Sequence, residues 1–236
     1  MNVAFIPVRG GSKSIPMKNI KLLNGKPLVY WTVTAACNCQ YIDKVYVATD
    51  SDIIRKTIEA FVMEEVEKYS KLQVIGRSLE SATETASTEF AMLEFAEKYE
   101  FDAIALVQAT SPMLTSDDLD KGFCAFADKD TDSILSVVRQ KPFIWREDEC
   151  GFVHPINYDI FNRPRRQEFV GHLIENGAFF ITSREQLLKS KSRISGRIRA
   201  VEMPADAFYE IDDPHDWVIV ESLMKKRYQN SVKEKE

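Results

Sequence analysis

The sequence contains little that would support a metal cluster, a disulfide framework or a membrane span. Its four cysteines are scattered, and the one close pair, Cys37 and Cys39, fits neither the spacing of a zinc site nor that of a disulfide framework. The histidines are isolated from one another, and no segment approaches the ~18 consecutive apolar residues of a membrane-spanning helix. We therefore expect reduced thiols, a cytoplasmic location and no membrane partner.

The sequence also lacks an excess of positive charge. It has 31 lysines and arginines against 36 aspartates and glutamates, which gives a formal net charge of -5. No overall field would attract nucleic acid or anionic lipid, so we expect no nucleic-acid partner. Any site for an anion must therefore be local.

Apolar runs of strand length alternate with segments of helical spacing in the first part of the chain. The predicted strands are 3–8, 45–48, 103–107 and 134–138, and the predicted helices are 28–36, 53–62, 86–99 and 119–127. This alternation is typical of βαβ units, and strands that are apolar on both faces are typical of a sheet covered on both sides. The pattern predicts one α/β domain over 1–236 with a mostly parallel, doubly wound, Rossmann-like sheet.

Residues 141–173 break this pattern with prolines, aromatic side chains and a cluster of arginines. An irregular, aromatic-rich stretch inside a regular α/β chain indicates an insertion that packs on a partner subunit. The regular pattern returns over 178–182 and 198–203 and in a helix that begins near Pro214. The final residues, 230–236, are expected to form a frayed tail.

The loop after the first strand has the composition of an anion site without the spacing of a standard phosphate loop. Residues 9–13 have the sequence RGGSK, which matches neither G-x-x-x-x-G-K-[ST] nor G-x-G-x-x-G. Glycines let backbone N–H groups approach a phosphate chain, and Arg9, Lys13 and Lys18 can neutralise it from several sides. A solvated basic loop with a proline turn has the same composition.

Polar side chains at two later places could bind a second ligand. Gln108 follows the third strand, where an amide can both donate to and accept from a polyhydroxy compound. The run 165–167, Arg-Arg-Gln, and the later Asn176 offer guanidinium and amide groups that could hold a carboxylate and hydroxyls. Arginine clusters are also commonly solvated or paired with acids on a neighbouring face.

Other residues of this kind have an equally good structural interpretation. Asp213 before Pro214, with Asp216 three residues on, fits a helix N-cap with its reciprocal acid. Thr85 and Thr88 lie where the third helix begins, so either could cap it.

Two carboxylates near the end of the chain suggest a divalent cation. In an extended segment Glu210 and Asp212 point to the same side and Ile211 to the other, so both could meet one Mg²⁺. No Ser/His/Asp arrangement is present in the sequence. Cations around phosphates together with a metal carboxylate, and no covalent nucleophile, favour phosphoryl or nucleotidyl transfer.

Taken in order, these motifs resemble the acylneuraminate cytidylyltransferases, or CMP-sialic acid synthetases, over residues 3 to about 225. Each motif is weak alone, whereas six in the right order are specific. They are IPVRGGSK (6–13) with IPxKN (15–19), VATD (47–50), QxTSP (108–112), RRQ (165–167), ENGA (175–178) and EID (210–212).

The resemblance implies a nucleotide-diphospho-sugar transferase type of fold, a reaction that joins CTP to the anomeric hydroxyl of a nonulosonic acid, and a homodimer whose insertion reaches the partner's sugar site. It implies Mg²⁺, with Mn²⁺ as an alternative. The resemblance implies nucleotide binding for Arg9, Ser12, Lys13, Lys18, Asn19, Arg77 and Thr88. It implies sugar binding for Gln108, Arg165 and Gln167, and metal binding for Asp212 and Glu210. It implies catalytic roles for Lys13, Arg9 and Asp212.

The sequence departs from the family pattern on the sugar side. Leu114 stands where an arginine is common, and Glu210 replaces a frequent aspartate. An unusual nonulosonate (Kdn, legionaminate or pseudaminate) is therefore a candidate substrate beside N-acetylneuraminate. Two alternatives remain: a nucleotidyltransferase for another sugar acid such as Kdo, and a non-catalytic nucleotide-binding protein.

Overall fold

The computed structural model describes residues 1–233, and within them the chain forms a central seven-stranded sheet in the order β11-β7-β10-β6-β1-β4-β5. The strands are β1 (Asn2–Pro7), β2 (Leu22–Leu23), β3 (Lys26–Pro27), β4 (Lys44–Thr49), β5 (Leu72–Gly76), β6 (Ala103–Val107), β7 (Ser133–Gln140), β8 (Trp145–Glu147), β9 (Val153–Pro155), β10 (His172–Ser183) and β11 (Ile198–Met203). The helices are α1 (Leu28–Asn38), α2 (Asp52–Glu64), α3 (Thr88–Lys98), α4 (Ser116–Phe126), α5 (Arg184–Ser190) and α6 (Pro214–Lys233).

The central sheet is mostly parallel, as the sequence predicted. Strand β1 lies in the middle and pairs in parallel with β4 on one side and β6 on the other. Strand β10 is the exception, because it runs antiparallel to both of its neighbours, β6 and β7. The carboxyl ends of β1, β4, β5 and β6 therefore meet at one edge of the sheet.

Side chains of β1 alternate between two cores, one on each face of the sheet. Val3 and Phe5 join a core with helices α3 and α5, while Ala4 and Ile6 join the core on the other face. That second core receives buried side chains from α1, α2, α4 and α6. Helices thus cover both faces, which confirms the doubly wound architecture.

The regular elements are predicted closely, and the irregular ones are not. Strand β6 and strand β11 have the predicted bounds, whereas β5 and α5 lie in segments for which no element was predicted. The expected insertion over 141–173 contains the two-stranded β8–β9 sheet and the first residues of β10. Helix α6 continues through Lys233, so the predicted frayed tail is helical over 230–233, and 234–236 lie outside the described residues.

Two helix starts test the cap predictions. The Asp213 carboxylate accepts from Asp216 N at 3.0 Å, and the Asp216 carboxylate accepts from Asp213 N at 2.9 Å, which confirms the reciprocal cap of α6. At α3 the prediction of a threonine cap is wrong. Ser87 is the N-cap and accepts from Phe90 N at 3.1 Å, while Thr88 is the first helical residue.

Among the described residues, none of the helices combines the length and the apolar character that crossing a bilayer requires.

Candidate active site

A cleft of about 770 Å³ opens at the edge of the sheet where the parallel strands end. It brings together nine of the residues predicted from the sequence to bind substrate or metal. They are Arg9, Ser12, Lys13, Lys18, Asn19, Arg77, Thr88, Gln108 and Asp212. The topology explains this, since the first loop, Arg77 and Gln108 directly follow β1, β5 and β6, which belong to the same parallel part of the sheet and end at the same edge.

The two glycines of the first loop have different roles. Gly10 N donates to the Asp50 carboxylate at 2.9 Å, and a Cβ at this position would lie 3.0 Å from Ser51 Cβ, so the loop packs against the end of β4 only without a side chain. Gly11 has open space around it and lines the cleft. An anion can therefore approach the backbone at Gly11.

Each lysine of the first loop is paired with a carboxylate. Lys13 Nζ lies 2.6 Å from a Glu84 oxygen, in a pair whose side chains are 79% and 56% exposed. Lys18 is only 11% exposed and donates to Ile211 O at 2.8 Å and to the Asp212 carboxylate at 3.2 Å. Lys18 thus fastens the segment that carries Asp212 to the first loop.

Arg9 and Asn19 fix the start of the loop. Asn19 is buried and its amide donates to Arg9 O at 3.2 Å. The Arg9 guanidinium donates to Thr83 O at 3.2 Å, across the cleft entrance to the loop that precedes α3. This contact and the Lys13–Glu84 pair join the first loop to residues 83–84.

Arg77 is held by the turn that follows it. Its guanidinium donates to Ser81 Oγ at 3.2 Å and also to Ser81 O. Burial lowers the pKa of Arg77, the nearby Arg9 cation acts in the same direction, and the Asp50 and Glu94 carboxylates oppose them. A half-buried arginine among these groups would gain from an added negative charge such as a phosphate.

The two candidate metal ligands lie on either side of a buried residue, as the alternation predicted. Ile211 is fully buried, Glu210 is half-buried and Asp212 is exposed. Burial raises the pKa of Glu210, and the Asp212 carboxylate raises it further. A cation between these carboxylates would relieve their repulsion.

Within residues 1–233, no three His, Cys, Asp or Glu side chains are grouped so that they could hold a metal by themselves. Mg²⁺ commonly binds one or two carboxylates and completes its shell with water and substrate phosphates. Asp212 lines the same cleft as Arg9, Lys13 and Lys18, so the donor set fits this ion when a nucleotide is present.

The predicted sugar-binding residues are separated in the single chain. Gln108 lies in the cleft, and a Cβ at the neighbouring Gly177 would be 3.7 Å from its amide nitrogen and 3.2 Å from a Glu210 oxygen. Asn176 does not face a ligand: it is buried and donates to Ala207 O at 2.8 Å. Gln108, Gly177 and Glu210 therefore lie close together, and of the three only Gln108 lines the cleft.

Arg165 and Gln167 are exposed and do not join Gln108. Arg165 lines a second cavity, of about 940 Å³, under the insertion. That cavity also has Lys141, Phe143, Arg163 and Arg166 in its wall. Gln167 is outside the residues that line either cavity.

Several cleft residues were missed by sequence reasoning. The loop 81–87 forms one wall of the cleft, yet it has no apolar periodicity, and only its serines, threonines and Glu84 could have indicated a binding role. Asp50 belongs to the VATD motif, but its hydrogen bond from Gly10 N could not be predicted from the spacing.

Comparison with known proteins identifies the family. Residues 3–149 match the cytidylyltransferase family. The N-acylneuraminate cytidylyltransferase of Oncorhynchus mykiss is 37% identical over 222 residues, which cover 92% of this chain and 49% of the relative. The chain thus spans about half the length of the first curated relatives it matches.

A relative of matching length and a solved structure are also similar. The CMP-N,N'-diacetyllegionaminic acid synthase of Legionella pneumophila is 27% identical over 94% of this chain and 96% of its own. The structure of a CMP:2-keto-3-deoxy-manno-octonic acid synthetase complexed with CTP superposes with a TM-score of 0.69 at 19% identity, over 96% of this chain and 99% of its own, which shows a shared fold.

The family match covers β1, the first loop, Arg77 and Gln108, whereas Asp212 of the cleft lies beyond the matched residues. The resemblance seen in the sequence is confirmed, and the chain belongs to the cytidylyltransferase family.

Proposed function

We propose that this chain transfers CMP from CTP to the anomeric hydroxyl of a nonulosonic (sialic-type) acid and releases pyrophosphate. The observation that carries the proposal is the convergence of Arg9, Lys13, Lys18, Arg77 and the Asp212 carboxylate on one cleft. Nucleotidyl transfer needs cations around a triphosphate and a carboxylate for a divalent ion. The name of the Oncorhynchus mykiss relative, N-acylneuraminate cytidylyltransferase, supports the substrate class.

In this mechanism the triphosphate lies along the first loop. Lys13, Arg9 and Lys18 offset its charge, Gly11 admits the phosphates close to the backbone, and Arg77 adds positive charge from the loop after β5. The same side chains stabilise the charge that develops on the α-phosphate and on the leaving pyrophosphate. Ser12, Asn19 and Thr88 complete the nucleotide pocket.

We assign Mg²⁺, with Mn²⁺ as an alternative, to Asp212 with Glu210 as the second carboxylate. When bound, the ion would supply charge neutralisation at the phosphates and a lower pKa for a coordinated hydroxyl. Lys18 contributes by holding the Asp212 carboxylate in the cleft through its 3.2 Å contact. No side chain is assigned as the general base.

The sugar acid is assigned to Gln108 and, from the insertion, to Arg165 and Gln167. Because the last two lie outside the cleft of their own chain, we propose that they serve the cleft of a partner in a homodimer. Exposed aromatic and aliphatic side chains on the insertion support such an interface. The free thiols support a cytoplasmic location.

A second candidate substrate is Kdo, because the fold is shared with a synthetase named for 2-keto-3-deoxy-manno-octonic acid. The legionaminate-related name of the full-length relative supports a modified nonulosonate instead. A non-catalytic nucleotide-binding protein would not need the Asp212 carboxylate in the cleft.

The decisive experiment is product formation, read by mass, from CTP, Mg²⁺ and a panel of sugar acids that includes N-acetylneuraminate, Kdn, legionaminate, pseudaminate and Kdo. We expect CMP-sugar and pyrophosphate only when all three components are present. Pyrophosphate release without a sugar acid, or no product from any of them, would contradict the proposal.

Variants test the assigned residues. Lys13→Ala and Asp212→Asn should lose transfer while the melting temperature is kept, because both side chains are exposed to the cleft. Lys56→Ala and Asp117→Asn, which change exposed side chains outside the cleft, are the matched controls. Full activity in both Lys13→Ala and Asp212→Asn would contradict the roles assigned to these two residues.

A further inference from the structure

The turn that follows β5 is tied to helix α3 by the Glu94 carboxylate. Ser78 N donates to Glu94 Oε1 at 3.2 Å, and Ser78 Oγ donates to Glu94 Oε2 at 3.0 Å. Lys98, one turn further along α3, donates to Glu94 Oε1 at 2.7 Å. The Glu94 side chain is only 15% exposed, so these are its main partners in place of water.

The same turn continues from Ser78 to Arg77 through Ser81. Ser81 is fully buried; its N–H donates to Ser78 Oγ at 3.0 Å and its hydroxyl donates to Ser78 O at 3.1 Å. The Arg77 guanidinium in turn donates to Ser81 Oγ at 3.2 Å. A continuous chain of hydrogen bonds therefore runs from Glu94 to a cation of the cleft.

Glu94 also supplies charge. The Asp50 and Glu94 carboxylates raise the pKa of Arg77, whereas burial and the like charge of Arg9 lower it. Glu94 itself is not among the residues that line the cleft, whereas Arg77 and Ser81 are. Its influence on a ligand would have to pass through the turn.

We propose that Glu94 is a positioning residue that holds the 77–81 turn and thereby directs the Arg77 guanidinium at the phosphates of the bound nucleotide. The inference rests on the proposed function for the identity of that nucleotide. The tether itself is a property of the free protein. An amide in place of the carboxylate keeps one acceptor oxygen, loses the second and removes the charge.

The first test is CTP binding measured by calorimetry on Glu94→Gln, with Glu97→Gln as the matched control on the exposed side of the same helix. We expect Glu94→Gln to raise the Kd for CTP about tenfold, equivalent to ~1.4 kcal/mol, and Glu97→Gln to leave it unchanged. An unchanged Kd in Glu94→Gln would overturn the proposal.

A double-mutant cycle separates positioning from a general loss of stability. In an Arg77→Ala background, Glu94→Gln should cause little further loss of CTP affinity, because the group it positions is absent. Additive losses would show that Glu94 does not act through Arg77. Ser78→Ala removes the bridging hydroxyl with both charges in place, and it should weaken CTP binding in the same direction even if Glu94→Gln folds poorly.

The tether can also be tested without nucleotide, so that failure of the proposed function does not obscure it. Hydrogen exchange of the ligand-free protein should show protected amides at Ser78 and Ser81 in the wild type and in Glu97→Gln. Both amides should exchange faster in Glu94→Gln. Equal protection would overturn the proposal, whereas an absence of CTP binding by the wild type would contradict the proposed function alone.

Discussion

At the scale of single residues, the lysines of the first loop differ in how firmly they are held. Lys13 makes an exposed ion pair with Glu84, and such pairs contribute only ~0–1 kcal/mol. The Lys18 side chain is nearly buried, and its ammonium group donates to a backbone carbonyl and to a carboxylate. Lys18 is therefore a fixed part of the site, whereas Lys13 can exchange Glu84 for a phosphate.

Glu84 should compete with the triphosphate for Lys13. We expect Glu84→Gln to tighten CTP binding by up to about fivefold at low ionic strength, with the gain fading as salt is added, because the pair is exposed and screened. Calorimetric titration at low and high salt measures this. Glu80→Gln, which changes an exposed acid in the preceding 77–81 turn, is the control. Weaker binding by Glu84→Gln would mean that Glu84 assists the ligand instead.

The pH dependence of stability should include a contribution from Glu94. Burial alone would raise the pKa of Glu94, but hydrogen bonds from Lys98 and from the Ser78 hydroxyl and N–H outweigh it and lower the pKa to about 2. A carboxyl group whose pKa is lower in the folded protein stabilises the folded state at pH values above the pKa that the group has in the unfolded chain. This stability is lost as the pH falls from about 5 toward about 2.

Urea unfolding of the wild type and Glu94→Gln therefore should differ most at neutral pH, where the wild type is more stable. The difference should shrink in acid. A difference that stays constant between neutral pH and about pH 3 would contradict the assignment of this ionisation to the folded-state contacts.

At the scale of secondary structure elements, helix α4 lies unusually close to β10. A Cβ on Gly122 of α4 would lie 2.7 Å from Phe179 Cε2 and 2.9 Å from Ile181 Cδ1. Replacing a helical glycine with alanine gains ~1 kcal/mol of helix propensity. Overpacking a filled core costs ~1–3 kcal/mol, so the packing term should win.

We accordingly expect Gly122→Ala to lower the free energy of unfolding by up to about 2 kcal/mol. Chemical denaturation measures the change. Gly76→Ala is the control, since a Cβ at Gly76 meets open space. A more stable Gly122→Ala would mean that α4 can move away from the sheet at little cost.

The local pattern of apolar and polar residues predicts some elements well. These are the elements whose side chains alternate between core and surface or between two cores. Strands β1, β4, β6 and β7 and the cap of α6 belong to this group. The direction of β10 could not be predicted, because an apolar run has the same composition whether it runs parallel or antiparallel to its neighbours.

The site is predictable to the extent that topology gathers residues from strand ends. Arg9, Arg77 and Gln108 follow parallel strands that end at the same edge of the sheet, so their convergence follows from the fold. The Glu84 and Glu94 contacts depend on the path of an irregular loop, which no periodicity encodes. The position of Arg165 could not be predicted from the sequence, because it depends on the path of the irregular insertion, which places it at a second cavity.

At the scale of the whole molecule, the insertion presents an apolar surface that the described residues leave exposed. Phe161 is 93% exposed, and Phe152, Val153 and Val170 are exposed as well. Exposed apolar groups in this number on one segment are typical of an interface.

The proposed homodimer gives a direct expectation. Phe161→Asp should shift the protein from dimer to monomer in sedimentation velocity experiments, because it places a charge on the apolar surface of the insertion. Met63→Asp, which alters a methionine of α2 that is 78% exposed, is the control and should stay dimeric. A wild type that sediments as a monomer at all concentrations would contradict the homodimer.

The position of β10 also bears on how the chain folds as it leaves the ribosome. Strands β6, β1, β4 and β5 are all complete by residue 107, whereas β7 and β11 join them only through β10, which spans His172–Ser183. Until then the edges of β6 and β7 that β10 will bridge are unpaired, and such edges promote aggregation of nascent chains. We expect this protein to depend on chaperones more when translation pauses within 141–171 than when it pauses elsewhere in the chain.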